Sequence, residues 1–230
     1  MHGEAIAIVN LNSTPFDVAE YDEQIKRTLP FYEEMYQQIV DVVKALGMPA
    51  FRWLDVGCGT GKMARIVRSH FDLKKMVCVD VNGEMVQRAK KSFDDERLEF
   101  LQCDVRELPY QEMFDIVTAV QVNHYFQRQE RMAVARKCFA ALKEDGIYLS
   151  FENFAPESSE GKMLYFERWK QFQIAHGKSE EEAVSHIRRY GQDYFPMTIG
   201  ESVRLLKDCG FSMVEIFWVS YMQVGILARK

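Results

Sequence analysis

Residues 51–61 read Phe51-Arg52-Trp53-Leu54-Asp55-Val56-Gly57-Cys58-Gly59-Thr60-Gly61. An apolar run of strand length meets three glycines at alternate positions, and a helical pattern follows directly over 61–70. Glycine lets a chain turn sharply and lets its backbone approach a ligand with no Cβ in the way. Two nucleotide motifs are excluded by position. A dinucleotide fingerprint starting at Gly57 would need Gly or Ala at 62, where Lys62 stands. A P-loop built on Lys62 would need Gly at 56 and Ser or Thr at 63, where the chain has Val56 and Met63.

Outward from this turn, short apolar runs alternate with amphipathic stretches, the pattern of βαβ units on a parallel sheet. It predicts strands at 51–56, 75–80, 97–103, 113–120 and 145–151, with helices over about 61–70, 83–92 and 128–142. Upstream, Tyr21–Leu46 reads as helical, with Pro30 suited to a first turn and Met35, Ile39, Val42 and Val43 at helical spacing. Downstream, Glu157–Ala175 is an aromatic-rich helical stretch. Ser179 with Glu182, and Thr198 with Glu201, form capping boxes that start two more helices, the last ending at Gly210. Phe211–Val219 and Tyr221–Ala228 read as a closing pair of strands, and Ala5–Val9 as a stray strand or a tail. The expected architecture is one α/β domain over 1–230. A helical cover at 16–46 precedes a core at 51–151, a helical lid insertion at 156–195, and a last helix with the strand pair at 198–230.

Open α/β sheets bind ligands at the carboxyl ends of their parallel strands. Asp80 closes the second expected strand, where a carboxylate can accept from both hydroxyls of a ribose. Asp104 follows the third, placed to accept from an adenine amino group. Ala119-Val120-Gln121-Val122-Asn123-His124-Tyr125 ends the fourth. Each residue alone is as well explained by a helix cap or a turn; together they trace one nucleoside-shaped site.

Asp55–Gly61, Asp80, Asp104 and the Phe114-Asp115 strand leading to His124 resemble the motif series of class I S-adenosylmethionine-dependent methyltransferases. The resemblance covers nearly the whole chain. It implies a Rossmann-like, doubly wound, seven-stranded sheet, mostly parallel with one antiparallel strand. It implies S-adenosylmethionine as cofactor, with Gly57, Cys58, Gly59 and Gly61 in the loop at the methionyl portion and Asp55 orienting that loop. Asp80 and Val81 fall to the ribose, Asp104 and Val105 to the adenine, and Val120 or Gln121 to the wall beside strand four. His124 and Tyr125 stand where this family often has a histidine or aromatic beside the transferable methyl. The flanks, Leu29-Pro30-Phe31-Tyr32 and Arg188-Arg189-Tyr190, are similar to carboxy-S-adenosylmethionine synthase and related methyltransferases. That similarity implies Tyr32 and Arg189 at the cofactor. The chain departs from the synthase at Val120, where an asparagine is expected, and this favours plain methyl transfer.

The balance of the chain fits a small-molecule enzyme. Its net charge is −5, and residues 16–46 carry three basic against seven acidic side chains. Residues 156–195 carry six against seven, so a phosphate backbone would meet no favourable field. The five cysteines include no C-x-x-C pair and no histidines have metal-ligand spacing, so neither a disulfide framework nor a metal site is expected. No apolar run reaches the ~18 residues of a membrane span. The start lacks a basic signal flank, so a cytoplasmic location is expected. The expected partner is a small-molecule acceptor, with no nucleic acid, no membrane, and a homodimer left open. A carboxy-S-adenosylmethionine synthase-like enzyme and a non-catalytic S-adenosylmethionine-binding protein are the competing readings.

Overall fold

Phe51–Val56 forms strand β1 inside a seven-stranded sheet. The structure is a computed structural model, and it describes Phe16 and residues 18–230. The run Ala5–Val9 lies outside the described residues. β2 is Leu73–Asp80, β3 Leu98–Gln102, β4 Phe114–Val120, β5 Leu142–Asn153, β6 Met213–Ser220 and β7 Gln223–Arg229. Their order across the sheet is β3-β2-β1-β4-β5-β7-β6, and β7 runs antiparallel to both of its neighbours. The mostly parallel sheet with one reversed strand is therefore the expected one.

Alternation along β1 explains why both faces of the sheet are covered. Phe51 and Trp53 enter a core beneath helices α2 (Tyr32–Leu46), α3 (Lys62–His70) and α4 (Gly83–Lys91). Leu54 and Val56 enter the opposite core, beneath α5 (Arg128–Ala141) and α8 (Ile199–Asp208). Trp53, Leu54 and Val56 are fully buried. Each large apolar side chain sealed in this way contributes about 1.5–3 kcal/mol.

Boundaries differ from expectation where local chemistry competes with pattern. The stretch expected as a single helix over 21–46 is two, α1 (Tyr21–Thr28) and α2, broken at Leu29-Pro30-Phe31. Pro30 brings no N–H and disfavours a helical residue before it, and Phe31 takes a left-handed φ of 57°. β5 is longer than expected at both ends, because Leu142 pairs with Phe114 of β4 at its start and β7 pairs with it as far as Asn153 at its end. Both capping boxes form, at Ser179 for α7 (Glu180–Arg188) and at Thr198 for α8.

The insertion, α6 (Ser159–Ala175) and α7, is fastened at its base and its top. At the base, Phe154 and Met197 form a parallel bridge and the Ala155 N–H donates to Met197 O at 2.8 Å. Phe195 is gripped twice: its N–H donates to His124 O (2.6 Å) and its carbonyl accepts from Arg131 Nη2 (2.8 Å). At the top, the Trp169 indole donates to Thr28 O at 2.7 Å, and Arg27 donates to the carbonyls of His176 and Gly177. The cover and the lid thus meet across the strand ends.

Candidate active site

The glycine loop is held by Asp80. One carboxylate oxygen accepts from the Gly59 N–H at 2.8 Å and the other from the Asn82 N–H at 2.9 Å. Gly57, Gly59 and Gly61 all take left-handed φ, at 67°, 53° and 81°. A Cβ at Gly57 would overlap the Val122 side chain, so the loop passes close to the end of β4 only because it is bare. Burial raises the Asp80 carboxyl above its ordinary range, against the lowering effect of those N–H groups. Beneath the loop, the buried Asp55 accepts the Thr118 hydroxyl at 2.6 Å, and Thr118 Oγ1 accepts the Trp53 indole at 2.8 Å. Burial pushes Asp55 up to about 7, the Thr118 hydrogen bond opposing it.

Above the loop lies a cavity of about 210 Å³ between the strand ends, α1 and the lid. Of the residues expected at the site, Gly57, Gly59, Asp80, Val81, Asp104, Val105, Val120, Gln121, His124, Tyr125 and Arg189 line it. The structure separates the other four from this cavity. Tyr32 and Cys58 line a smaller hollow behind the loop, whereas Asp55 and Gly61 line neither space. Gly61 instead packs the start of α3 against Phe93 and Ala89, which leave no room for a side chain. Its requirement is helix packing rather than ligand approach.

The far end of the cavity is polar. Asp104 accepts from its own turn at Arg106 N (2.9 Å), and its carboxylate is gripped by the Arg106 guanidinium at 2.6–3.1 Å. Burial would raise the Asp104 carboxyl, but Arg106 holds it below its ordinary range. Arg106 Nη1 also donates to Glu130 at 2.7 Å. At the opposite end, Arg189 Nε donates to Asp193 at 2.7 Å, and the rings of Tyr21, Tyr125 and Tyr194 line the wall. Burial pushes the Tyr125 phenol up to about 12 and the His124 imidazole down to about 3, so both are neutral at physiological pH.

The hollow behind the loop has its own chemistry. Lys62 Nζ lies 3.9 Å over the Tyr32 ring and 4.6 Å over Tyr36, while Tyr32 and Tyr36 hydroxyls are 3.2 Å apart. Glu33 reaches the same ammonium at 2.7 Å, an ionic contact poorly aligned for a hydrogen bond. Burial lowers the Lys62 ammonium below its ordinary value and Glu33 counters it.

Sequence reasoning did not pick out Lys62, Arg106, Asn153 or Gln223. Arg106 stands two residues after Asp104, a spacing that signals a turn in which the acid accepts from i+2. Asn153 ends β5 and lines the cavity; the rule of carboxyl ends would have reached it had that strand been drawn to its full length. Among the described residues, no group of three or more His, Cys, Asp or Glu side chains gathers as a metal site. No helix among them is long and apolar enough to cross a membrane.

Residues 54–146, which hold the glycine loop, Asp80, Asp104 and His124, match the family model for a methyltransferase domain. These residues form a methyltransferase domain, and the motif series they hold supports a class I S-adenosylmethionine-dependent methyltransferase. Among its relatives, the carboxy-S-adenosyl-L-methionine synthase of Methylococcus capsulatus is 23% identical over 216 residues, covering 91% of this chain and 89% of the synthase. The synthase of Nautilia profundicola is 24% identical over 199 residues, covering 85% and 84%. Two solved structures share the fold. The S-adenosylmethionine-dependent methyltransferase from Mesorhizobium loti has a TM-score of 0.59 at 17% identity, covering 83% of this chain and 96% of that one. Magnesium protoporphyrin IX methyltransferase from Synechocystis, solved with S-adenosylmethionine bound, has a TM-score of 0.62 at 15% identity, covering 94% and 86%. The domain match supports S-adenosylmethionine as the cofactor and leaves the acceptor open.

Proposed function

We propose that this cytoplasmic methyltransferase acts on a small-molecule acceptor held between the strand ends and the lid. The observation that carries the reading is a single cavity lined both by the motif residues and by aromatic side chains of the cover and lid. S-adenosylmethionine supplies an already activated methyl group, so little covalent help is needed from the protein. The cradle suits that cofactor, since Gly57 and Gly59 bring bare backbone to the cavity edge. Asp80 keeps lone pairs for two ribose hydroxyls beyond the two N–H groups it already accepts. Asp104, its charge fixed by Arg106, accepts an adenine amino group. Tyr21 and Tyr125 place aromatic rings in the cavity wall, where a sulfonium cation is favoured over their faces. The lid excludes water, and alignment of the reactants can supply on the order of 7–11 kcal/mol. Five free cysteines accord with a reducing cytoplasm.

One observation favours a second reading, synthase-like chemistry on a carboxylated cofactor. Arg189 of the lid lines the cavity, and a guanidinium can hold a carboxylate through two parallel bonds. Mass spectrometry of the nucleotide that copurifies separates the two, since a carboxylated cofactor would displace plain methyl transfer. Calorimetry tests the shared core: S-adenosylhomocysteine should bind the wild type, and Asp80→Ala should weaken it at least tenfold. Wild-type affinity in that variant would remove Asp80 from the cofactor.

A further inference from the structure

Gln121, Gln223 and Asn153 form a chain of buried carboxamides under the lid side of the cavity. Gln121 Nε2 donates to Gln223 Oε1 at 2.7 Å, and Gln223 Nε2 donates to Asn153 Oδ1. The direction of the chain is set at Gln121, whose amide nitrogen also lies 3.9 Å from Met35 Sδ, an atom that only accepts. With Oδ1 taken, Asn153 is left presenting Nδ2, a donor. The backbone N–H of the same residue points at His124 Nδ1 from 3.4 Å, and a backbone N–H can only donate. The neutral His124 ring therefore carries its proton on Nε2. Among the described residues no hydrogen bond is formed at His124 Nε2 or Asn153 Nδ2, and both residues line the cavity.

We propose that these two donors, at the ends of the neighbouring strands β4 and β5, recognise an oxyanion, and that the acceptor is a small carboxylate with an apolar or aromatic body. The inference rests on the methyltransferase reading and narrows it. His124 is then a hydrogen-bond donor to substrate rather than a general base: Nδ1 is occupied and Nε2 already holds its proton. The groups around the ring agree, since Arg131, His186 and Arg189 all disfavour a second positive charge there, and burial disfavours it most. Tyr125 and Tyr194 pack against the imidazole as neutral rings. The aromatic wall formed with Phe16 and Tyr21 accommodates the body of the acceptor. Methylation of a carboxylate forms one oxygen–carbon bond, breaks one sulfur–carbon bond and moves no proton. A site without a base is sufficient for it.

Asn153→Asp is close to isosteric and keeps the acceptor for Gln223, while replacing the Nδ2 donor with an anionic oxygen. Calorimetry on the protein saturated with S-adenosylhomocysteine, with benzoate, benzamide and benzyl alcohol as ligands, reads the effect. Wild type should prefer benzoate at least tenfold over both neutral ligands, with little change of affinity from about pH 6 to about pH 8, where benzoate stays ionised and His124 neutral. Asn153→Asp should abolish that preference, whereas His124→Gln, which restores an amide donor, should keep most of it. Equal binding of the three ligands, or an unchanged preference in Asn153→Asp, overturns the proposal. Saturation with S-adenosylhomocysteine is measured first, so failure there counts against the cofactor site and failure only with benzoate counts against the carboxylate acceptor.

Discussion

Asp55 reports what burial does to a single carboxyl. Its folded pKa of about 7 stands above the ordinary 3.8, so the folded protein binds this proton more tightly than the unfolded chain. Stability from this group is fully present below pH 3.8 and is lost as pH rises through about 7. The span corresponds to at most about 4 kcal/mol. Asp55→Asn keeps the acceptor for Thr118 but does not titrate. Denaturant unfolding at about pH 5 and about pH 8 should therefore show wild-type stability falling between the two and the variant changing less. Parallel pH profiles would mean that Asp55 is already ionised in the fold. Asp55 itself was legible in the sequence from its place before the glycines. Its partner was not, because Thr118 lies 63 positions away and meets it only through the β1–β4 register.

At the scale of elements, patterns closed by local chemistry were the readable ones. The capping boxes of α7 and α8 each lie within four residues, and both were found. The inner parallel strands β1, β2 and β4 were found because both faces are largely buried and their apolar runs are nearly continuous. The full length of β5 and the seat of the lid depend on partners far along the chain. Trp169 and Thr28, the lid's principal tie to the cover, are 141 residues apart. Trp169→Phe keeps an aromatic ring but leaves the Thr28 carbonyl, in a fully buried residue, without its donor. It should cost about 1–3 kcal/mol. Hydrogen exchange should rise in α6 and α1 ahead of the sheet, and S-adenosylhomocysteine should leave faster. Unchanged exchange in both helices would mean that packing alone seats the lid.

The molecule as a whole is joined across its layers by Arg131 and Glu152, an ion pair at 3.2 Å whose side chains are 4% and 5% exposed. Burial raises the Glu152 carboxyl above its ordinary value while Arg131 draws it down. Arg131 reaches the lid as well, through Phe195 O. Arg131→Met strands a buried carboxyl and should destabilise the protein by about 3–5 kcal/mol. Arg131→Met with Glu152→Gln should recover much of that loss in thermal melts, and a single variant melting like wild type would refute the coupling. Beneath this junction, Phe154 and Met197 face each other, so residues 156–195 leave the sheet and rejoin it at one point. Lengthening a loop closed at its base is cheap, about 0.6 kcal/mol for each doubling. The strands below keep their register whatever the loop becomes. On the acceptor reading proposed above, exchanging the insertion as a unit would redirect the enzyme to a new acceptor while the nucleoside half stays as it is, provided the new segment restores the ties to Thr28 and Arg131.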